Sequence, residues 1–200
     1  PDALVVAADV ADPDGPQHLI DTTISHYGRL DVLVNNAGIS RVLPAVDDDI
    51  EGFRHEIEVD LIAPYELARR AARWWIANDH PGVVVNLGSV LGEGSGGKLR
   101  LPGYAAAKGG LHNLTRELAT QWARKGIRVN ALAPAWFETE MNSDTMFHDD
   151  AGIAYVESGT PMGRGGMAHE LDGALLLLAS DAGSYMTGHV LLVDGGWTSV

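Results

Sequence analysis

The stretch GYAAAKGGLHNLTRELATQWARKGIRVNALA, residues 103–133, decides the fold. Its first part predicts a long helix from about Gly103 to Lys125-Gly126, where a cationic last turn followed by glycine is a stop signal. Directly behind it, IRVNALA (127–133) is apolar almost throughout, as a strand buried on both faces would be. Inside the helix, Tyr104 and Lys108 are four apart and share one face. Their alanine and glycine neighbours are too small to cover that face, so it is left open to close approach.

Working outward, the same alternation recurs. ALVVAAD (3–9) predicts a buried strand and residues 14–27 a helix ended by Gly28. LDVLVNN (30–36) predicts the next strand. Asp47, Asp48 and Asp49 crowd the start of a helix reaching about Asn78. Three carboxylates there suit the positive end of the helix dipole, and one can cap it, so a metal site is not needed to explain them. VVVNLGS (83–89) predicts a strand and 168–179 a helix, and HVLLVDGG closes with a strand. Apolar strands alternating with helices predict a parallel sheet covered on both faces. Residues 134–166, rich in Gly, Pro, Met and Asp, are too long for an ordinary connection and predict a substrate loop or lid.

The composition narrows the function. The 200 residues suit one domain, 1–200, and contain no cysteine, which excludes disulfides, a thiolate nucleophile and a Cys-based zinc site. A formal charge of −13 argues against nucleic acid or an anionic membrane as partner. The longest apolar run, ALLLLA at 174–179, is too short to span a bilayer, and a cytoplasmic location is expected. Eight histidines show no metal-binding spacing, and no metal is expected.

GEGSGGK (92–98) matches both GxGxxG and GxxxxGK. Leu99 stands where the second pattern needs Ser or Thr, and Pro102 blocks the helix that both require, so a loop is expected instead. Asp9-Val10 and Asn35-Asn36-Ala37-Gly38 fall at the carboxyl ends of expected strands, where nucleotides bind in open parallel sheets.

Taken together, Asp9-Val10, NNAG at 35–38, Ser89 after a strand, Tyr104-x-x-x-Lys108, VNALAPAWFET at 129–139 and VDGG at 193–196 resemble the short-chain dehydrogenase/reductase family, in order and at nearly family spacing. The resemblance implies a Rossmann-type, doubly wound α/β fold and a hydride transfer between NAD or NADP and a carbonyl or secondary alcohol. A small-molecule substrate of sugar-acid, polyol or 3-oxoacyl type is expected, in a homotetramer or homodimer. Family members begin with a strand, a TGxxxGxG loop and helix, and a second strand and helix, so these are expected to be missing before Pro1. Their sheet order is 3-2-1-4-5-6-7. Without strands 1 and 2, strand 3 would lie about three strand spacings, ~14 Å, from strand 4, so the chain as given is expected either to be a fragment that does not fold stably or to have its first strand re-paired.

Site roles follow from the same resemblance. Tyr104 is the expected proton donor or acceptor. A free phenol, with a pKa near ~10, is a poor base, and an ammonium one turn away would favour its anion. Lys108 is expected also to bind the nicotinamide ribose, and Ser89 to hydrogen-bond the substrate oxygen. Asp9, Val10, Asn35, Ala37, Gly38, Pro134, Ala135 and Thr139 are the further expected cofactor contacts. Two positions depart from the family. Asp60 stands at the place of a catalytic asparagine, and Ala135 replaces a glycine. Pro64, four residues after Asp60, has no N–H to give to its carbonyl and is expected to kink the helix. A catalytically silent binding or assembly module is the competing expectation.

Overall fold

In the computed structural model, which describes residues 3–200, four of the apolar runs become strands. They are β1 (Val32–Asn35), β2 (Gly82–Leu87), β3 (Ile127–Pro134) and β4 (Val190–Val193). All pair in parallel, in the order β1-β2-β3-β4. Six α-helices connect and cover them among the described residues: α1 (Gly15–Tyr27), α2 (Ile50–Ile57), α3 (Ala63–Ala77), α4 (Pro102–Trp122), α5 (Asp150–Gly159) and α6 (Asp172–Ala179).

The sheet is buried on both sides because adjacent strand residues point to opposite faces. Val84, Ile127 and Val129 pack with Ile20 of α1, Ala71 and Trp75 of α3 and Leu118 of α4. Val85 and Leu132 pack the other way, against Leu178 of α6. Trp75 is fully buried, and its indole N–H donates to the Leu30 carbonyl at 2.7 Å. Gly82 is required beside it, since a Cβ there would stand 2.2 Å from the indole ring.

Asp49 caps α2, its carboxylate accepting the Gly52 N–H at 2.6 Å, so the acidic triplet behaves as a helix start. The helix continues through a π-turn, Glu58–Ile62, into α3. Within that turn the Ala63 N–H reaches back to the Glu58 carbonyl, and Pro64 follows without an N–H of its own. The distortion sits on Asp60.

Two expectations need correction. Residues 3–9 form no strand; the run is extended without a ladder partner among the described residues. The outer edge of β1, the outermost strand described, is free, but residues 3–9 do not lie along it and so form no ladder with it. The segment 134–166 is also less irregular than its composition suggests. Asp149 caps α5 within it by accepting the Gly152 N–H at 3.0 Å, and a π-turn, Ser143–Phe147, precedes it. The segment closes on itself through a bridge between Phe137 and Gly166. No helix among the described residues is long and apolar enough to cross a membrane.

Candidate active site

The carboxyl ends of β1, β2 and β3 and the first turns of α4 open onto one cleft of about 860 Å³. Open parallel sheets bind ligands at this end. The cleft brings together Ala37, Gly38, Ser89, Tyr104, Lys108, Pro134, Ala135 and Thr139.

Ser89 leaves β2 in extended conformation and caps a short 3₁₀ turn, Val90–Gly92, its hydroxyl oxygen accepting the Leu91 N–H at 3.1 Å. The same hydroxyl is near enough to the Tyr104 phenol to favour its anion. Burial pushes that phenol up to about 12, the Ser89 hydroxyl opposes the rise, and the Asp60 carboxylate adds to it. Lys108 is 4% exposed. Its Nζ donates to the Leu87 carbonyl at 2.9 Å and lies 5.3 Å from the centre of the Tyr104 ring. The pair therefore faces one another as the spacing predicts. The acidified phenol that spacing also suggests is not seen in the unliganded cleft. Desolvation outweighs every favourable contact on the tyrosine, and the ammonium lies near the ring face.

Asp60 is fully buried beneath these groups. Its Oδ1 accepts the Ile39 N–H at 3.0 Å and stands 3.9 Å from Lys108 Nζ, while Oδ2 has no partner. Burial raises its pKa to about 6 against the pull of Lys108. Burial also lowers the Lys108 pKa against the pull of Asp60. Both directions say the same thing: removing the two charges from water costs more than their attraction returns.

A stability prediction follows. A carboxylate with its folded pKa above its unfolded value of 3.8 costs stability once ionised. That loss begins as pH rises past 3.8 and is complete above about 6. Asp60→Asn should therefore flatten this decline. By the linkage of about 1.4 kcal/mol per pKa unit, it should be more stable than the parent by up to about 3 kcal/mol at neutral pH, but not at pH 4. Urea unfolding at both pH values checks this, and an equal difference at the two would refute it.

Other expected site residues are placed elsewhere. Asp9 and Val10 do not reach the cleft. Asp9 folds onto its own turn, accepting the Ala11 N–H at 2.9 Å, and Val10 lines a separate apolar groove beside β1. Asn35 lines that groove too, and its amide donates inward, to Asn86 Oδ1 at 2.8 Å and the Pro64 carbonyl at 3.2 Å. Asn86 in turn donates to Thr115 at 2.9 Å. This buried chain joins β1, β2, α3 and α4 and keeps Asn35 from the cleft. Thr139 lines the cleft with its hydroxyl donating to Asn142 Oδ1 at 3.1 Å.

Trp136 and Met146 pack inside residues 134–166 with Val156, Tyr155 and Trp197, whereas Phe137 and Met141 line the cleft. The loop 92–98 opens no α-helix, only a 3₁₀ turn, Gly97–Leu99, and neither Lys98 nor Arg100 lines the cleft. No cluster of metal-ligating side chains occurs among the described residues.

The sequence reading passed over His112 and Glu93. His112 is 1% exposed, one turn beyond Lys108 on α4, and its ring is in contact with both ends of the turn that carries Ser89. The available signal was the i+4 step from Lys108, combined with the glycines at 88 and 92.

Known proteins resemble this chain in sequence and in fold. A family model described as enoyl-(acyl carrier protein) reductase matches residues 1–198. The 2-dehydro-3-deoxy-D-gluconate 5-dehydrogenase of Escherichia coli is 33% identical over 194 residues, covering 97% of this chain and 76% of that protein. The cis-4-hydroxycyclohexanecarboxylate dehydrogenase of Sinomonas cyclohexanicum is 39% identical over 199 residues, covering 99% and 78%. The crystal structure of a gluconate 5-dehydrogenase from Burkholderia cenocepacia, in complex with NADP and tartrate, superposes with a TM-score of 0.90 at 37% identity, covering 96% of this chain and 74% of that one.

Proposed function

The chain belongs to the short-chain dehydrogenase/reductase family, and from that premise we propose that its cleft oxidises a secondary alcohol, or reduces the corresponding ketone, of a small polyhydroxylated acid or polyol. It is an NAD(P)-dependent oxidoreductase. The observation that carries the reading is the convergence of Ser89, Tyr104 and Lys108 on one cleft at the carboxyl end of the sheet. The sugar-acid and polyol class is supported by the names of the relatives, among them a galactitol 2-dehydrogenase from Cereibacter sphaeroides.

The residues present fit a nicotinamide nucleotide. An ammonium carries three donors, and Lys108 has one engaged on Leu87, leaving others for ribose hydroxyls. Ala37, Gly38, Pro134, Ala135 and Thr139 supply the surrounding wall. A nicotinamide held there would supply the hydride chemistry at the substrate carbon. Ser89 Oγ holds the substrate oxygen, and Tyr104 Oη passes the proton to or from it. The high pKa of the phenol means that the free protein holds Tyr104 protonated at neutral pH, ready to donate to a ketone. Asp60 holds the Gly38–Ile39 backbone and the Lys108 ammonium from below. Residues 134–166 act as the lid, with Phe137 and Met141 facing substrate. The small residues Ala105, Ala106 and Gly109 on α4 support association with a second copy.

The alternative of a silent binding module rests on Asp60 and Ala135. Oxidation of NADH or NADPH in the presence of 5-dehydro-D-gluconate, other keto sugar acids and ketoses separates the two. Turnover of at least one is expected. Nucleotide binding without turnover of any ketone would favour the module.

A further inference from the structure

His112 and Glu93 lie outside the reaction just described, yet they grip the residue at its centre. The His112 ring touches the Ser89 turn at both ends. Nε2 is 3.4 Å from the Ser89 backbone N, in line to accept its N–H, and Nδ1 is 2.9 Å from Glu93 Oε1. A ring nitrogen against a carboxylate must carry the proton, so Nδ1 is the donor and Nε2 the acceptor. The turn is shaped around the ring. A Cβ on Gly88 would stand 2.2 Å from Nε2, and one on Gly92 would stand 2.6 Å from Cε1. Arg116, a further turn along α4, reaches Glu93 Oε1 at 3.5 Å. Tyr104, Lys108, His112 and Arg116 thus form one stripe at i+4 steps, whose second half holds the loop that the first half uses.

We propose that His112 is a positioning residue for Ser89: the neutral imidazole, oriented by Glu93, accepts the Ser89 backbone N–H and sets where its hydroxyl meets the substrate oxygen, and protonation at Nε2 releases it. This rests on Ser89 being the residue that binds that oxygen. An imidazolium has no acceptor, so its Nε2–H would oppose the Ser89 N–H across a contact with no room to spare. The groups facing the ring are Glu93, which favours its protonation, and Arg116 and Lys108, which with burial oppose it. In the folded protein the balance lies below the ordinary histidine value, keeping the imidazole neutral at physiological pH.

The test combines nuclear magnetic resonance with kinetics on the parent, Glu93→Gln and His112→Gln. In the parent, nitrogen shifts should report the Nδ1–H tautomer, and the Ser89 amide signal should move with the titration of His112. Glu93→Gln removes the anion, so the His112 pKa should fall by about one unit, as expected for losing a charge at such range. The acid limb of kcat for NADPH-dependent ketone reduction should move by the same amount, with KM for NADPH unchanged. His112→Gln keeps an acceptor but cannot be protonated, so its kcat should lose that limb. A Ser89 amide that stays still while His112 titrates would overturn the inference. So would an acid limb that ignores a shifted His112 pKa. Absence of ketone turnover in the parent would instead count against the functional reading, leaving the amide titration to decide the role of His112.

Discussion

Tyr104→Phe is expected to lower kcat for ketone reduction by about 10²–10⁴-fold, the usual contribution of a positioned proton donor, with NADPH affinity nearly unchanged. The two parts of the result have separate causes. Phenylalanine keeps the ring beneath Lys108 Nζ, so the packing around α4 persists. It loses only the oxygen that exchanges a proton with substrate and faces the Ser89 hydroxyl. The direction of reaction sharpens the test. With its pKa near 12 the parent phenol is a ready acid and a poor base at neutral pH. Alcohol oxidation should therefore accelerate as pH rises, and Tyr104→Phe should abolish that dependence. Asp60→Asn should move it to lower pH, because the Asp60 carboxylate is one of the groups raising the phenol. Steady-state rates in both directions with fluorescence titration of NADPH would check all three. A loss under tenfold in Tyr104→Phe would mean that another group carries the proton.

The second large effect is expected at Lys108. Lys108→Met should reduce kcat by about 10²–10³-fold, the scale for losing a preorganised electrostatic group, and should also destabilise the fold. Removing one partner of a buried pair leaves the other without compensation, and because the survivor can take up a proton the added cost at neutral pH is held to about 1 kcal/mol. The survivor is Asp60. Lys108 holds its pKa down, so the variant raises it further above 3.8. The damage should be greatest at neutral pH and should lessen as the medium is acidified and Asp60 is protonated. The double variant Lys108→Met/Asp60→Asn should regain most of the stability at neutral pH and none of the activity. Thermal unfolding at two pH values with parallel rate measurements separates the outcomes. Recovery of activity in the double variant would show that Lys108 serves only to neutralise Asp60.

Legibility in the sequence followed how far apart the relevant residues lie along the chain. Tyr104 and Lys108 could be paired because helical spacing alone puts them on one face, whereas Ser89 was singled out only by its place in the ordered set of family motifs. The alternation of apolar runs and helices was enough for the parallel sheet. Residues 3–9 misled because a run of Val and Ala states a preference but cannot say whether the run will lie along a neighbouring edge. For Asn35, a strand-end amide reads the same in sequence whether it turns to a ligand or to Asn86 and Pro64, where its N–H groups donate. In α5, the Asp149 cap preceded a usable pattern, but glycines at both ends masked it. His112 is hardest to read. Its importance comes from a loop on the other side of Lys108, and nothing in LHNL itself points there.

The bridge between Phe137 and Gly166 has an evolutionary corollary. Because the excursion over the cleft is cinched where it leaves and re-enters the body, its length can change without moving those two points. Lengthening such an enclosed loop costs only about 0.6 kcal/mol per doubling. Selection can therefore redraw what the cleft admits by rewriting the residues between those two points, while the proton chemistry on α4 is inherited intact.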